Sequence, residues 1–189
     1  DLRTMSTSRN KSFLATFTVN GSWLHFPGQT FNEKVTVLHY DTPSIATEVR
    51  DVSNVLTMIA VNVNPPLVFY CRNEDDYYTF YNRTPGPYYG KVISKNQHDK
   101  FAALPAAGRD TTTFNFLDLD GNIITLDDIQ SDQVDVRIQT RAGAPLGLNN
   151  KFSKINRVHH FIGEYGTQLT WRMKILERNT PYISDPDEV

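Results

Sequence analysis

In Val134-Asp135-Val136-Arg137-Ile138-Gln139, apolar Val134, Val136 and Ile138 alternate with polar Asp135, Arg137 and Gln139. Neighbouring side chains on a strand point to opposite faces, so this is the pattern of a sheet with one face buried and one wet. Leu169, Trp171, Met173 and Ile175 alternate with Thr170, Arg172 and Lys174 in the same way. Val35, Val37 and His39 oppose Thr36, Leu38 and Tyr40, a mixed pattern that suggests burial on both faces.

Outward from these stretches, short apolar or alternating runs recur between Gly, Pro and polar punctuation. They predict strands at Phe13–Val19, Trp23–Phe26, Val35–Tyr40, Ile45–Val49, Val55–Val63, Pro66–Arg72, Tyr77–Asn82 and Tyr88–Ile93. The series continues with Thr112–Leu119, Asn122–Leu126, Val134–Thr140, Val158–Ile162 and Gln168–Leu176. Asp120-Gly121 between two such runs predicts a two-residue type I′ hairpin, because both turn positions need positive φ. Helical signals are limited to Ser94–Leu104, which could make two or three turns before Pro105, and one turn at Leu126–Ile129. The expected fold is all-β, an antiparallel β-sandwich of jelly-roll type with at most one or two short helices. A β-trefoil would carry three units of about 50–60 residues, and no threefold self-similarity is legible. Gln168-Leu169-Thr170-Trp171 misses the Gln-x-Trp spacing of the ricin-type lectins by one residue.

At 189 residues the chain fits one domain, with a polar N-terminal arm over 1–11, a body over 12–178 and a polar tail over 179–189. It opens at Asp1 rather than with methionine, which reads as a processed product, an excised domain or a tag remnant ahead of Met5. A formal net charge of −2 supplies no global field for nucleic acid or an anionic membrane. No apolar run reaches the roughly 18–20 residues of a membrane span. The single cysteine, Cys71, rules out an internal disulfide framework and sits in an apolar run, where a thiol is inert. Acceptor triplets at Asn10, Asn20 and Asn82 are about as many as the composition supplies by chance.

Six of the nine tyrosines (Tyr70, Tyr77, Tyr78, Tyr81, Tyr88 and Tyr89) crowd into one short stretch. Tyrosine joins an apolar ring to a polar tip and is favoured at interfaces, so these residues form the candidate contact surface. The doublets Tyr77-Tyr78 and Tyr88-Tyr89 should each send one ring to each face of a strand.

Reaction chemistry finds no footing. Asp118-x-Asp120-Gly121-Asn122 has the wrong glycine position and strand flanks for a calcium loop. His159-His160 would point to opposite faces, and His25, His39 and His98 carry no zinc spacing. No nucleophile elbow, phosphate loop or dinucleotide fingerprint occurs. The expectation is therefore no enzyme activity, no cofactor and no metal. Charge is uneven, with six acids and no base over 110–132 and eight bases against three acids over 133–178. Solvated faces explain this most simply; complementary patches between copies are the sharper reading.

The run Thr113-Phe114-Asn115-Phe116-Leu117-Asp118-Leu119-Asp120-Gly121-Asn122-Ile123-Ile124-Thr125-Leu126, closing in Val134–Ile138, resembles the final strands of viral jelly-roll structural proteins. Phe17–Val19 through Phe26-Pro27, and Val35–Leu38 to Pro43, also fit the opening of such a domain, although some forty residues follow Ile138. The resemblance implies a capsid or spike component acting through self-association, other structural proteins, or a host glycan or receptor, in a virion or extracellular setting. The alternatives are a carbohydrate-binding β-domain, a lectin of trefoil type included, and a secreted toxin or interaction module; a soluble cytoplasmic setting is the other placement.

Overall fold

The computed structural model describes residues 11–42, 45–59, 66–106, 110–149, 153–154 and 160–180, with side chains for all of these except 40–42, 45–47 and 153–154. The chain is all-β and antiparallel. Its strands are β1 (Phe13–Val19), β2 (Ser22–His25), β3 (Thr36–Thr42), β4 (Ile45–Asp51), β5 (Thr57–Ile59), β6 (Phe69–Glu74), β7 (Tyr77–Asn82), β8 (Val92–Lys95) and β9 (Phe101–Leu104). They continue as β10 (Phe114–Leu117), β11 (Ile123–Ile124), β12 (Gln133–Thr140), β13 (Leu146–Leu148), β14 (Ser153–Lys154), β15 (His160–Glu164), β16 (Thr167–Gln168) and β17 (Trp171–Arg178). Helical elements among the described residues include α1 (Pro27–Phe31), which has proline in its first turn, and a 3-10 turn at Leu126–Asp128.

Within the all-β class the main sheet closes on itself rather than facing a second sheet as in a jelly roll. β1 pairs with β6, β6 with β7, β7 with β10, β10 with β12, β12 with β17, and β17 returns to β1. Closure removes sheet edges, the standing hazard of an open sheet. Between successive pairs of barrel strands lie three hairpins, β2/β5, β8/β9 and β13/β15, that cover one end. Bridges Val55↔Ala102 and Lys100↔Gly163 tie these hairpins together. The connectivity is that of a β-trefoil: three four-stranded units, Phe13–Glu74, Tyr77–Leu117 and Gln133–Arg178, around a pseudo-threefold axis.

Register alignment superposes the units residue by residue. Cys71↔Phe80, Phe116↔Ile138 and Met173↔Phe17 are equivalent pairs, as are Phe69↔Asn82, Phe114↔Thr140 and Trp171↔Val19. The core is therefore built of layers: Phe17/Phe80/Ile138, Cys71/Phe116/Met173, Phe69/Phe114/Trp171 and Ala15/Tyr78/Val136, all buried. Phe80 and Phe114 stack at 4.6 Å, and Phe17 meets Trp171 edge-on at 6.2 Å. A residual cavity of about 20 Å³ lies among Phe17, Leu24, Phe80, Ile93, Ile138 and Leu146, too small for a ligand.

The first unit carries an insertion, α1 with the β3–β4 hairpin, and β14 adds to β3, making a separate small sheet. Val37 of that sheet packs with Val52, Val55, Ala102 and Phe161 in a second cluster.

Several local expectations change. Ser94–Leu104 is not helical; it holds the ends of β8 and β9, paired Ser94↔Ala102 and Lys95↔Phe101. The helix propensity of Ala-Ala-Leu yields here to burial of Phe101, Ala102 and Ala103 in the cap. The hairpin at Asp120-Gly121 exists, but its loop is Leu119-Asp120-Gly121, closed by the Asp118 amide donating to Asn122 O at 2.9 Å. Gly121 has φ +90 and Asp120 is not left-handed, which is the three-residue turn-plus-bulge form. A two-residue turn with positive φ at both positions is found instead at Asn20-Gly21, with φ +51 and +76, between β1 and β2. Tyr88 and Tyr89 lie in a turn before β8, not in a strand. At the ends, Lys11 and residues 179–180 belong to the body. Thr180 donates its amide to Ser12 O at 2.8 Å, and Lys11 O accepts from the Tyr78 hydroxyl at 2.9 Å.

Candidate functional site

The six tyrosines do not share one surface. Tyr70 and Tyr78 are buried, Tyr77, Tyr81 and Tyr88 are half-buried, and Tyr89 is exposed. Tyr78 is a core residue, edge-on to Phe116 at 5.0 Å, and its oxygen accepts from the Leu126 amide at 3.0 Å. Burial pushes its hydroxyl well above the ordinary tyrosine range. Tyr88 packs edge-on to Phe26 at 5.2 Å, its hydroxyl standing in the space left by Gly28. The expected division of Tyr77-Tyr78 holds, with Tyr77 outward and Tyr78 inward, and it is this division that scatters the belt.

Other candidates resolve into structural roles. Cys71 is buried, and burial raises its thiol far from the reactive range. Asn82 is fully buried; its side chain donates to Tyr88 O at 2.9 Å and accepts from the Thr84 amide at 3.1 Å, so it organises a turn. His25 Nδ1 lies 2.8 Å from Thr30 Oγ1. His39 faces Glu48 across β3–β4, with Arg50 and His98 nearby. His160 pairs with Met58, and His159 lies outside the described residues, as does Asn10. Among the described residues no group of three or more His, Cys, Asp or Glu could hold a metal ion. No helix among them is long and apolar enough to cross a membrane. The charge asymmetry is used in part within the chain, where Arg178 Nε donates to Asp132 Oδ1 at 2.8 Å.

A different place stands out on the outer wall of the barrel. Register carries one row of side chains straight across four strands: Asp135 on β12 opposes Arg172 on β17, Arg172 opposes Thr18 on β1, and Thr18 opposes Trp23 on β2. Directly opposed residues project from the same face of a sheet. Their inward neighbours Val136, Trp171, Phe17 and Leu24 are buried, which fixes this row as outward. Arg172 Nε donates to Asp135 Oδ1 at 2.9 Å and Nη2 to Oδ2 at 3.1 Å, a two-pronged contact. That hydrogen bonding holds the Asp135 carboxyl below its usual range and the Arg172 guanidinium above its own. Beside the pair lies an open depression of about 300 Å³ lined by Thr18, Asn20, Gly21, Asp135, Thr170 and Arg172.

The trefoil alignment supplies an internal comparison. Asn20 is equivalent to Arg83 and Arg141, since Val19, Asn82 and Thr140 are equivalent. At the junction of the first and second units the corresponding row is Leu14, Tyr70 and Tyr81, with the Arg83 guanidinium 5.9 Å from the Tyr70 ring. At the junction of the second and third it holds Asn115 and Gln139, with Arg141 stacked 3.8 Å over Tyr77. Where those units fold an arginine over a tyrosine, the junction of the third and first has the short Asn20-Gly21 turn. The depression therefore follows from side-chain choice and is not imposed by the fold.

Nothing in the sequence marked this site, because Asp135, Arg172 and Thr18 lie far apart in the chain and each looks like an ordinary wet-face residue. No protein-family model matches the chain, and neither does any curated protein or any solved structure.

Proposed function

We propose that the chain is a non-enzymatic attachment or recognition module and that the depression beside Asp135 and Arg172 takes a sugar. The observation that carries this reading is the break in pseudo-symmetry. Of three related junctions, two have an arginine laid over a tyrosine, and the third opens onto hydroxyl, amide, carboxylate and guanidinium groups. Such a set matches a polyol: the carboxylate accepts from hydroxyls, the guanidinium and the Asn20 amide donate, and Thr18 and Thr170 do either. The charge of Arg172 is already balanced by Asp135, which favours a neutral sugar over a sialylated or sulfated one. The site is shallow and open, in keeping with binding to a glycan presented on a surface. On this reading the chain acts outside the cell or on the surface of a particle.

The test is a glycan array probed with the intact chain and with Asp135→Ala. Saturable binding to neutral glycans, lost in the variant, is expected. Absence of any saturable glycan signal from the unaltered chain would overturn the reading. Sedimentation of the source material separates it from the assembly role implied by the jelly-roll resemblance, since a shell protein would sediment as a large particle.

A further inference from the structure

We propose that the binding site does not end at the depression but runs along the strand-to-strand row to Trp23, so that the ligand is an oligosaccharide laid across β12, β17, β1 and β2. This rests on the glycan reading above and adds a specificity-determining residue, Trp23, for ligand length.

Strands in a sheet lie about 4.8 Å apart, so the row from Asp135 to Trp23 covers about 14 Å, more than a single pyranose ring spans. Its chemistry changes along that length in a useful order. A carboxylate–guanidinium pair stands at one end, the short Thr18 in the middle, and a half-buried indole at the other. Thr18 is the smallest member of the row, so an elongated ligand can pass over it between the two larger ends. On its other side Trp23 is paired in register with Ile59 on β5, so its strand is held between two neighbours. A partly exposed indole on the outward row offers apolar surface to the C–H face of a pyranose, while the polar end addresses hydroxyls. Trp171 is buried in the core and takes no part.

The experiment is calorimetric titration of the intact chain, and of Trp23→Ala and Trp23→Phe, with neutral saccharides of one to four units from the cello- and N-acetyllactosamine series. The expected result is an affinity that rises with length by roughly 2–10-fold and then levels off. Trp23→Ala should remove that rise, with a larger loss for four units than for one, and Trp23→Phe should restore most of it. Circular dichroism of each variant confirms that it folds; if Trp23→Ala does not, Trp23→Leu against Trp23→Phe makes the same comparison at similar volume. Length-independent binding, or equal loss for one unit and four, would overturn this inference while leaving the sugar site standing. Failure of every saccharide to bind the unaltered chain would overturn both.

Discussion

Asn20 stands at the position in the first unit that Arg141 occupies in the third, and the exchange of a long side chain for a short one opens the outer wall of the barrel. Asn20→Arg should therefore fill the depression and abolish glycan binding. Asn20 sits at φ +51, where asparagine is tolerated and arginine is not, so the variant should also lose about 1–2 kcal/mol of stability. Asn20→Gly is the control. It keeps the turn and the space and removes only the Asn20 amide donor, so it should weaken binding far less than Asn20→Arg in the same titration.

Phe17 and its chain neighbour Thr18 should respond in opposite ways. Phe17 is buried among Phe69, Phe80, Phe116 and Trp171, with ring centroids 6.1–6.3 Å away, and it borders the residual axial cavity. Phe17→Ala would enlarge that cavity and should cost about 3–5 kcal/mol. Thr18→Ala faces outward and should stay within about 0.5 kcal/mol while weakening glycan binding. Denaturant unfolding of both variants, with the titration run on Thr18→Ala, checks the pair. Equal destabilisation would contradict the assignment of the two faces.

The same alternation explains what was legible in the chain and what was not. Phe13–Val19 and Tyr77–Asn82 are read from the sequence at their observed limits, because period-2 patterning is a local signal. The threefold repeat is a sum over layers, and layers constrain total volume more than identity. Ala15 thus shares a layer with Tyr78 and Val136, and Cys71 one with Phe116 and Met173, so no column of the repeat keeps a residue type. The insertion between β2 and β5 also shifts the spacing of the first unit. The short strands β13 and β16 are hidden for another reason. Gly147 pairs with Gly163 and Gln168, and a Cβ there would meet Thr167 O at 2.3 Å, so backbone proximity without side-chain pattern holds the strands together. The candidate site escaped notice because it exists only as a register between distant strands, whereas the tyrosine belt is contiguous in sequence and divided in space.

Asp118 is the residue that shapes the β10–β11 hairpin. Its carboxylate accepts from the Asp120 amide at 3.0 Å, the Asn122 amide at 2.8 Å and Asn122 Nδ2 at 2.9 Å. Asp118→Ala should leave the barrel folded and speed hydrogen exchange of the β11 amides and of the amide at position 118. The contacts to Asn122 hold the carboxyl below its usual range in the folded chain. Its contribution is therefore present above the unfolded pKa and fades as pH falls through the folded one. The difference in exchange between the unaltered chain and Asp118→Ala should accordingly shrink in acid. A difference that persists once the carboxyl is protonated would show that the loop is held by other means.

Lys100 gives the opposite dependence. Burial beside the β8–β9 turn, reinforced by the charge of Arg50, lowers its ammonium from an ordinary 10.5 to about 8. At neutral pH the ammonium is charged in both folded and unfolded chains, and the folded state bears the desolvation cost. Between pH 8 and 10.5 the unfolded chain holds the proton that the folded chain has released, so stability rises with pH across that window. The window closes at its upper end as tyrosines ionise, since Tyr78, raised by burial, favours the unfolded chain once free tyrosine ionises near 10. Lys100→Gln removes the buried ammonium. It should raise the melting temperature at pH 7 and flatten the rise between pH 8 and 10, both readable in one series of thermal scans. Parallel curves for Lys100→Gln and the unaltered chain across pH 7–10 would mean that Lys100 keeps its charge in the fold, with Arg50 too far or too well solvated to act on it.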